Sequence, residues 1–436
     1  MEQTTREGLV RVLRKWDLLA LTINIIIGGG IFGLPSEVFS RIGAYSLIAF
    51  VVCAVGVTLI VLCFAEVSSR FSATGGPYLY AREAFGPLVG FEVGWLIWIA
   101  RLTGFAANCN LMVAYAALLA PSLGAGAGRV AVICAVVFVL TMLNLVGVRQ
   151  AAIVGNILTV SKLGPLVLFV AIGIFFVDVG AYSFDTRPAF SDFSVSVLLL
   201  VYAFTGFETA VVAGGEARDP RRDFPWALLA GIAVVAVFYT LIQFVAVGTF
   251  PQLRDSSRPI ADASGRFLGP VGVTVIIVGA LVSILGNLNV TLMVASRQPF
   301  AMAQRGELPR PLAATHSRFH TPYVAILVHA TLVLVLTLSG TFVYAVTISV
   351  IARLLSYAVT CLAVPVLRHR RESPPALFLA PAGAWIAVAC LLLVTWLLFN
   401  ITLLQARDAG IGAGLGLVIY LISRTRRKEV VHPASC

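Results

Sequence analysis

Gly28-Gly29-Gly30-Ile31-Phe32-Gly33 lies inside an apolar run that begins near Leu18, and how these six residues are read decides the fold. Each glycine costs a helix roughly 1 kcal/mol relative to alanine, so a membrane helix is expected to unwind here. Free N–H groups at the start of the second half-helix attract an anion such as a carboxylate, and bare glycines let a ligand reach the main chain. Unpaired amides in hydrocarbon are costly, so a break at this depth implies a cavity near the middle of the membrane. The competing reading is a tight glycine crossing between two packed helices.

Composition fixes the class. The 436 residues are 59% hydrophobic and 12% charged, with a mean hydropathy of +0.96. These values exclude an ordinary soluble protein. At about 20 residues per span there is room for roughly ten to twelve membrane helices and no sizeable soluble domain. The net charge of +11 follows membrane orientation and not nucleic-acid binding. Of the seven cysteines, Cys53, Cys63, Cys109, Cys134, Cys361 and Cys390 lie in apolar segments and Cys436 ends the chain, so no disulfide framework is visible. The basic start runs into a long span with no small-residue cleavage site, so the first helix is expected to be retained.

Taken in order, residues 1–15 form a basic cytoplasmic tail, and the first span runs from about Trp16 to Ser40 with the glycine break in its middle. The second runs from Ser46 to Glu66 and leads to a distinctive loop, Gly75-Gly76-Pro77-Tyr78 to Gly86. The third, about Leu88 to Leu119, carries Arg101, Asn108 and Asn110. The fourth spans Val130 to Val148, and the fifth, Gly155 to Val177, contains Lys162. Beyond an acidic loop, the sixth span starts near Val195 and is interrupted at Thr205-Gly206-Phe207-Glu208, a second break. A seventh follows from Ala227 to Thr249, then a helix-like piece Ile260 to Leu268, and an eighth from Val271 to Ser296 that is polar at Ser283, Asn287 and Asn289. Tyr323 to Leu338, Phe342 to Leu367 with Arg353 inside, Ala384 to Leu404 and Ala409 to Ile422 complete the series. Alternating the loops places Arg70, Arg82, Arg218, Arg305, Arg368 and the cationic tail 424–436 on the side of the N-terminus, so both termini are expected to be cytoplasmic.

The interrupted spans are the first and the sixth, so the second unit enters the membrane from the opposite side. The reading is an all-α polytopic membrane protein of about twelve transmembrane helices with a 5+5 inverted-repeat transporter fold and discontinuous helices 1 and 6. Its parts are a first repeat at 16–178, a second at 194–367 and an accessory helix pair at 384–423. Such repeats bring both breaks to one site near the midplane.

From Trp16 to Leu367 the chain resembles the amino acid, polyamine and organocation (APC) superfamily of secondary transporters. The resemblance is carried by Gly28-Gly29-Gly30-Ile31-Phe32-Gly33-Leu34-Pro35, by Gly75-Gly76-Pro77-Tyr78 to Gly86, by Ala203-Phe204-Thr205-Gly206-Phe207-Glu208, and by Met302-Ala303-Gln304-Arg305-Gly306-Glu307-Leu308-Pro309 with Thr321-Pro322. The family more commonly has serine at the place of Gly29, which removes a hydroxyl and keeps the amides. The resemblance implies that a cargo carboxylate meets the amides of Gly28, Gly29 and Gly30, and that its ammonium meets carbonyls near both breaks, among Ile26 and the stretch Tyr202, Ala203, Thr205 and Gly206. Half-helix N-termini and unwound carbonyls are suited to those charges.

Tyr202 matches an aromatic gate of the family; its other reading is an ordinary packed tyrosine. Lys162 matches a lysine that in several members replaces a sodium ion, where an ammonium could couple transport to protons; snorkelling to the interface is the alternative. Glu208 is read as a proton-sensitive switch or as the satisfied partner of a neighbouring cation. Arg101 departs from the family, and facing the cavity or pairing with Glu208 are both open; a cation beside the site disfavours cationic cargo. Asn287 and Thr291 share a helical face, near the site or in helix packing, with Ser283 one turn earlier as a candidate coupling group. Arg353 is a gate charge or a structural ion pair. No Walker-type loop, metal-ligand cluster or nucleophile and base constellation is visible, so neither an enzyme nor a cofactor or metal is expected. The preferred reading is a carrier of neutral L-amino acids in the cell membrane, coupled to protons or driven by exchange. The rivals are a cationic amino acid or polyamine antiporter and, in another class, a receptor that binds an amino acid without moving it.

Overall fold

The computed structural model describes residues 13–73, 75–146, 163–212, 217–370 and 372–431, with side chains to 423. The secondary-structure elements of these residues are helices. The chain's only β feature among them is an isolated bridge between Leu13 and Ala217. In order the helices are α1 (Lys15–Ile26), α2 (Gly30–Ile42), α3 (Ser46–Ser68), α4 (Gly76–Phe85), α5 (Pro87–Ala116), α6 (Gly126–Val146), α7 (Leu163–Phe176), α8 (Phe190–Phe204), α9 (Phe207–Ala210), α10 (Pro220–Thr249), α11 (Pro259–Gln304), α12 (Tyr323–Ser339), α13 (Phe342–His369), α14 (Ala384–Leu398) and α15 (Leu403–Val431). Eight of the described helical stretches are long and apolar enough to cross a bilayer. Large apolar side chains such as Phe138, Val237 and Val271 are exposed along them. This is a multi-pass membrane protein.

Several boundaries differ from the sequence reading for local reasons. The glycine-rich stretch read as a loop at 75–86 is the helix α4: Pro77 starts its first turn, and Gly75 and Gly86 end it on either side with φ of 148° and 92°. The eighth span runs on to Gln304, after a non-helical Gly269 at φ 61° that separates it from the helix-like piece before it. The last helix starts at Leu403 and continues through the cationic stretch to Val431, so the first half of the expected tail is helical.

Two compact units emerge, one within Met1–Gly90, Leu163–Gly279 and Leu354–Ile401, the other within Phe91–Lys162, Ala280–Arg353 and Thr402–Cys436. Each takes segments from both halves of the sequence. In the first unit α1 packs on α10 and α9, α2 on α8, and α3 on α10, α8 and α14. Two aromatic groups fill its interior, Phe50 with Phe204 and Tyr239, and Phe64 with Phe207 and Tyr357. At the end of α3, fully buried Glu66 accepts from Arg368 Nε at 2.7 Å and Nη2 at 2.6 Å, from Arg70 Nη2 at 3.4 Å, and from the Ala380 amide at 3.0 Å. Arg70 in turn donates to the carbonyls of Leu367 and Pro374, so the 370–380 connection is fastened to both helices.

In the second unit side-chain amides tie the helices. Asn108 on α5 donates to Asn287 on α11 at 2.8 Å, Asn144 on α6 donates to Asn289 at 3.2 Å, and the Trp98 indole donates to His329 Nδ1 on α12 at 3.1 Å. Arg129 caps the end of α12 through the carbonyls of Thr337 and Gly340. Breaking a buried ion pair by removing one partner costs about 3–5 kcal/mol, whereas an interhelical hydrogen bond in a membrane averages about 0.6 kcal/mol. Glu66→Ala is therefore expected to lower the thermal midpoint of the purified protein markedly, and Asn144→Leu only slightly; a midpoint series in detergent checks this ranking.

Candidate functional site

The first unit brings the two breaks against one another. Helix α1 ends at Ile26; the Ile27 amide still reaches Ile23 O at 2.9 Å, and α2 begins at Gly30 with Phe32 N bonded to Gly29 O at 3.0 Å. Between these turns the Gly28 amide meets the Tyr239 hydroxyl oxygen, while the amides of buried Gly29 and Gly30 meet no backbone acceptor among the described residues. They are the orphan donors that any helix start leaves. On the carbonyl side of the break, Ile26 O accepts the Tyr239 hydroxyl at 3.2 Å.

Helix α8 ends at Phe204, where the Thr205 hydroxyl folds back onto Tyr202 O at 2.8 Å. Gly206 then takes φ 116°, a conformation costly for any residue with a Cβ, and the chain re-enters a helix at Phe207. Glu208, fully buried in that first turn, reaches back to accept the Gly206 amide on Oε2 at 2.8 Å; the same oxygen accepts the Tyr357 hydroxyl at 2.7 Å. A carboxylate in the first turn also complements the partial positive charge of the helix start. Glu208 is thus bound into the break that it follows.

Glycine permits the two breaks to meet. A Cβ on Gly30 would lie 3.0 Å from Ala203 Cα and 3.1 Å from Tyr202 Cδ1, and one on Gly206 would lie 2.8 Å from Ile25 Cγ2. Ile26, Gly28, Gly29, Gly30, Tyr202, Ala203, Thr205, Gly206 and Glu208 therefore share one neighbourhood, with Tyr202, Ala203 and Thr205 buried. Tyr239 and Tyr357 belong to it as well. Neither was singled out in the sequence, where each is one more aromatic in an apolar helix and its hydroxyl's partner lies far along the chain.

The remaining predicted residues, Lys162 aside, belong to the second unit. Arg101 is buried and its Nη1 donates to Gln298 Oε1 at 3.4 Å. The Asn287 carbonyl oxygen accepts from Asn108 and, at 3.4 Å, from the Thr291 hydroxyl one turn on. Ser283 is buried with a hydroxyl that lacks a partner among the described residues. Arg353 donates to Ser349 Oγ and to Ala100 O, and Ser349 bonds the same carbonyl, so this cation seats on the backbone of α5. Lys162 lies outside the described residues.

A family model described as amino acid permease matches residues 13–420. The chain is 27% identical over 425 residues to the serine/threonine exchanger SteT of Bacillus subtilis (strain 168), covering 95% of this chain and 96% of that one. It is 26% identical over 445 residues to the branched-chain amino acid permease BcaP of the same organism, covering 97% and 95%. Against an arginine/ornithine antiporter of Pseudomonas aeruginosa it is 30% identical over 313 residues, covering 68% of this chain and 64% of the antiporter.

A hydrogen bond to a charged group is worth about 1.5–3 kcal/mol, and each 1.4 kcal/mol is a factor of ten. Glu208→Leu is expected to speed hydrogen exchange of the Gly206 amide at least about tenfold. Tyr357→Phe, which keeps the carboxylate, should have the smaller effect; exchange read by mass spectrometry on peptides covering 202–210 checks both.

Proposed function

Because the chain belongs to the amino acid permease family and carries amino acids across a membrane, we propose that its cargo is a small or medium neutral L-amino acid, moved by alternating access. The observation that carries this reading is the meeting of two helix breaks, with the amides of Gly29 and Gly30 meeting no backbone acceptor among the described residues on one side and helix-end carbonyls on the other. A cargo carboxylate binds the amides of Gly28, Gly29 and Gly30, and its ammonium binds carbonyls at the ends of α1 and α8, each charge facing the helix end of opposite sign. Tyr202 stands over the cargo as an aromatic gate.

Neutral cargo is favoured because Glu208, the carboxylate in this neighbourhood, is engaged by the Gly206 amide and the Tyr357 hydroxyl. A guanidinium or second ammonium would have to displace those donors. Resemblance to a serine/threonine exchanger over nearly the whole of both chains points the same way. The partial match to arginine antiporters favours a second reading, exchange of cationic amino acids.

In the architecture we propose, about twelve spans form two inverted five-helix repeats plus an accessory pair, with both termini cytoplasmic. The coupling ion is the proton, with Lys162 as its carrier, or coupling is replaced by exchange. The test is uptake of a panel of labelled amino acids into proteoliposomes with and without an inward proton gradient. Neutral amino acids should accumulate, and Gly206→Ala, strained by about 1–2 kcal/mol, should cut their uptake roughly tenfold. Gradient-driven uptake lost in Lys162→Ala supports proton coupling; uptake only into preloaded vesicles makes the protein an exchanger. Competition by arginine or putrescine would replace the neutral reading with the cationic one, and binding without uptake would replace the carrier with a receptor.

A further inference from the structure

We propose that Cys63, Cys361 and Cys390 form a binding site for a soft thiophilic cation, with Cu(I) as the fitting ion. The three thiols come from α3, α13 and α14 within the first unit, and none has exposed surface. Their sulfurs all lie within 4.8 Å of one another, and Cys63 Sγ and Cys390 Sγ are 3.9 Å apart. Three sulfurs in a trigonal plane around a metal, at a bond length of about 2.3 Å, stand about 4.0 Å from each other. The thiols are free, and among the described residues they are the one group of this kind.

The donor set selects the ion. Tetrahedral zinc asks for a fourth ligand, and among the described residues no imidazole or carboxylate joins the three sulfurs. Soft thiolates in a low-coordinate, dehydrated setting suit Cu(I). Each thiol that ligates gives up its proton, leaving negative charge to be balanced. One turn along α3 from Cys63, the Glu66 carboxylate is held by Arg70 and Arg368, two cations against one anion. That surplus of positive charge lies on the same faces of α3 and α13 as the sulfurs. Packing of cysteines as small apolar residues explains their burial, but does not by itself converge three sulfurs from three helices.

Binding is read on the purified full-length protein under anaerobic conditions, without reference to transport, by titrating Cu(I) against bicinchoninate. One equivalent should be retained per chain, its X-ray absorption should show sulfur neighbours near about 2.3 Å, and the thermal midpoint should rise as three helices are pinned together. Cys361→Ser should weaken retention by at least about 100-fold, more than loss of an outer hydrogen bond to a ligand costs. A variant with alanine at Cys53, Cys109, Cys134 and Cys436 should keep the equivalent unchanged. Should Cys361→Ser fail to fold, Cys390→Ala and the four-cysteine variant carry the test. Retention lost in the four-cysteine variant, unchanged in the single variants, or absent from the wild type would each overturn the proposal.

Discussion

In the hydrocarbon of a bilayer a backbone N–H or C=O that lacks a partner costs several kcal/mol, and a broken helix leaves such groups at both sides of the break. The first unit answers most of them from within. Tyr239 supplies a hydroxyl to Ile26 O, the Thr205 hydroxyl reinforces Tyr202 O, and Glu208 with Tyr357 secures the Gly206 amide. The amides of Gly29 and Gly30 at the first break meet no backbone acceptor among the described residues. The protein has thus closed the second break with its own side chains, and at the first Tyr239 serves both the Ile26 carbonyl and the Gly28 amide. The close approach that makes this one neighbourhood depends on two missing Cβ atoms, at Gly30 and Gly206.

What could be read from the sequence was local. Glycine runs and hydropathy located both breaks and most of the spans, because helix propensity and apolar length act within one turn or one helix. The helix α4 escaped because Gly75, Gly76, Pro77 and Gly86 are signals for a loop and equally for the start and stop of a short helix. The partners of the site escaped for another reason. Tyr357 and Glu208 are 149 residues apart, and Cys63 and Cys390 are 327 apart. Nothing in a neighbouring stretch reports such a meeting. Arg101 illustrates the same limit: its charge was legible, but the Gln298 amide that it meets was not.

Polarity inside a span also proved to have two uses. Asn287 and Asn289 are two positions apart, about 200° around a helix, and therefore face different neighbours. One bonds α5 and the other α6, so the polar middle of α11 works as a two-sided fastener in the second unit. Ser283, one turn before Asn287, is buried without such a bond. The distinction between a fastening amide and an open hydroxyl appears only once the partners are in place.

The ion pair at the end of α3 carries a consequence for how the chain is made. Arg368 follows Glu66 by 302 residues, so at a synthesis rate of roughly 5–20 residues per second the carboxylate waits about 15–60 s for it. During that interval Arg70, one turn away, is the cation at hand. Synthesis thus passes through a stage at which the short-range pair with Arg70 is available to the carboxylate and the pair with Arg368 is not. That stage ends when α13 and the connection to Ala380 arrive, making the last third of the chain the step that completes the first.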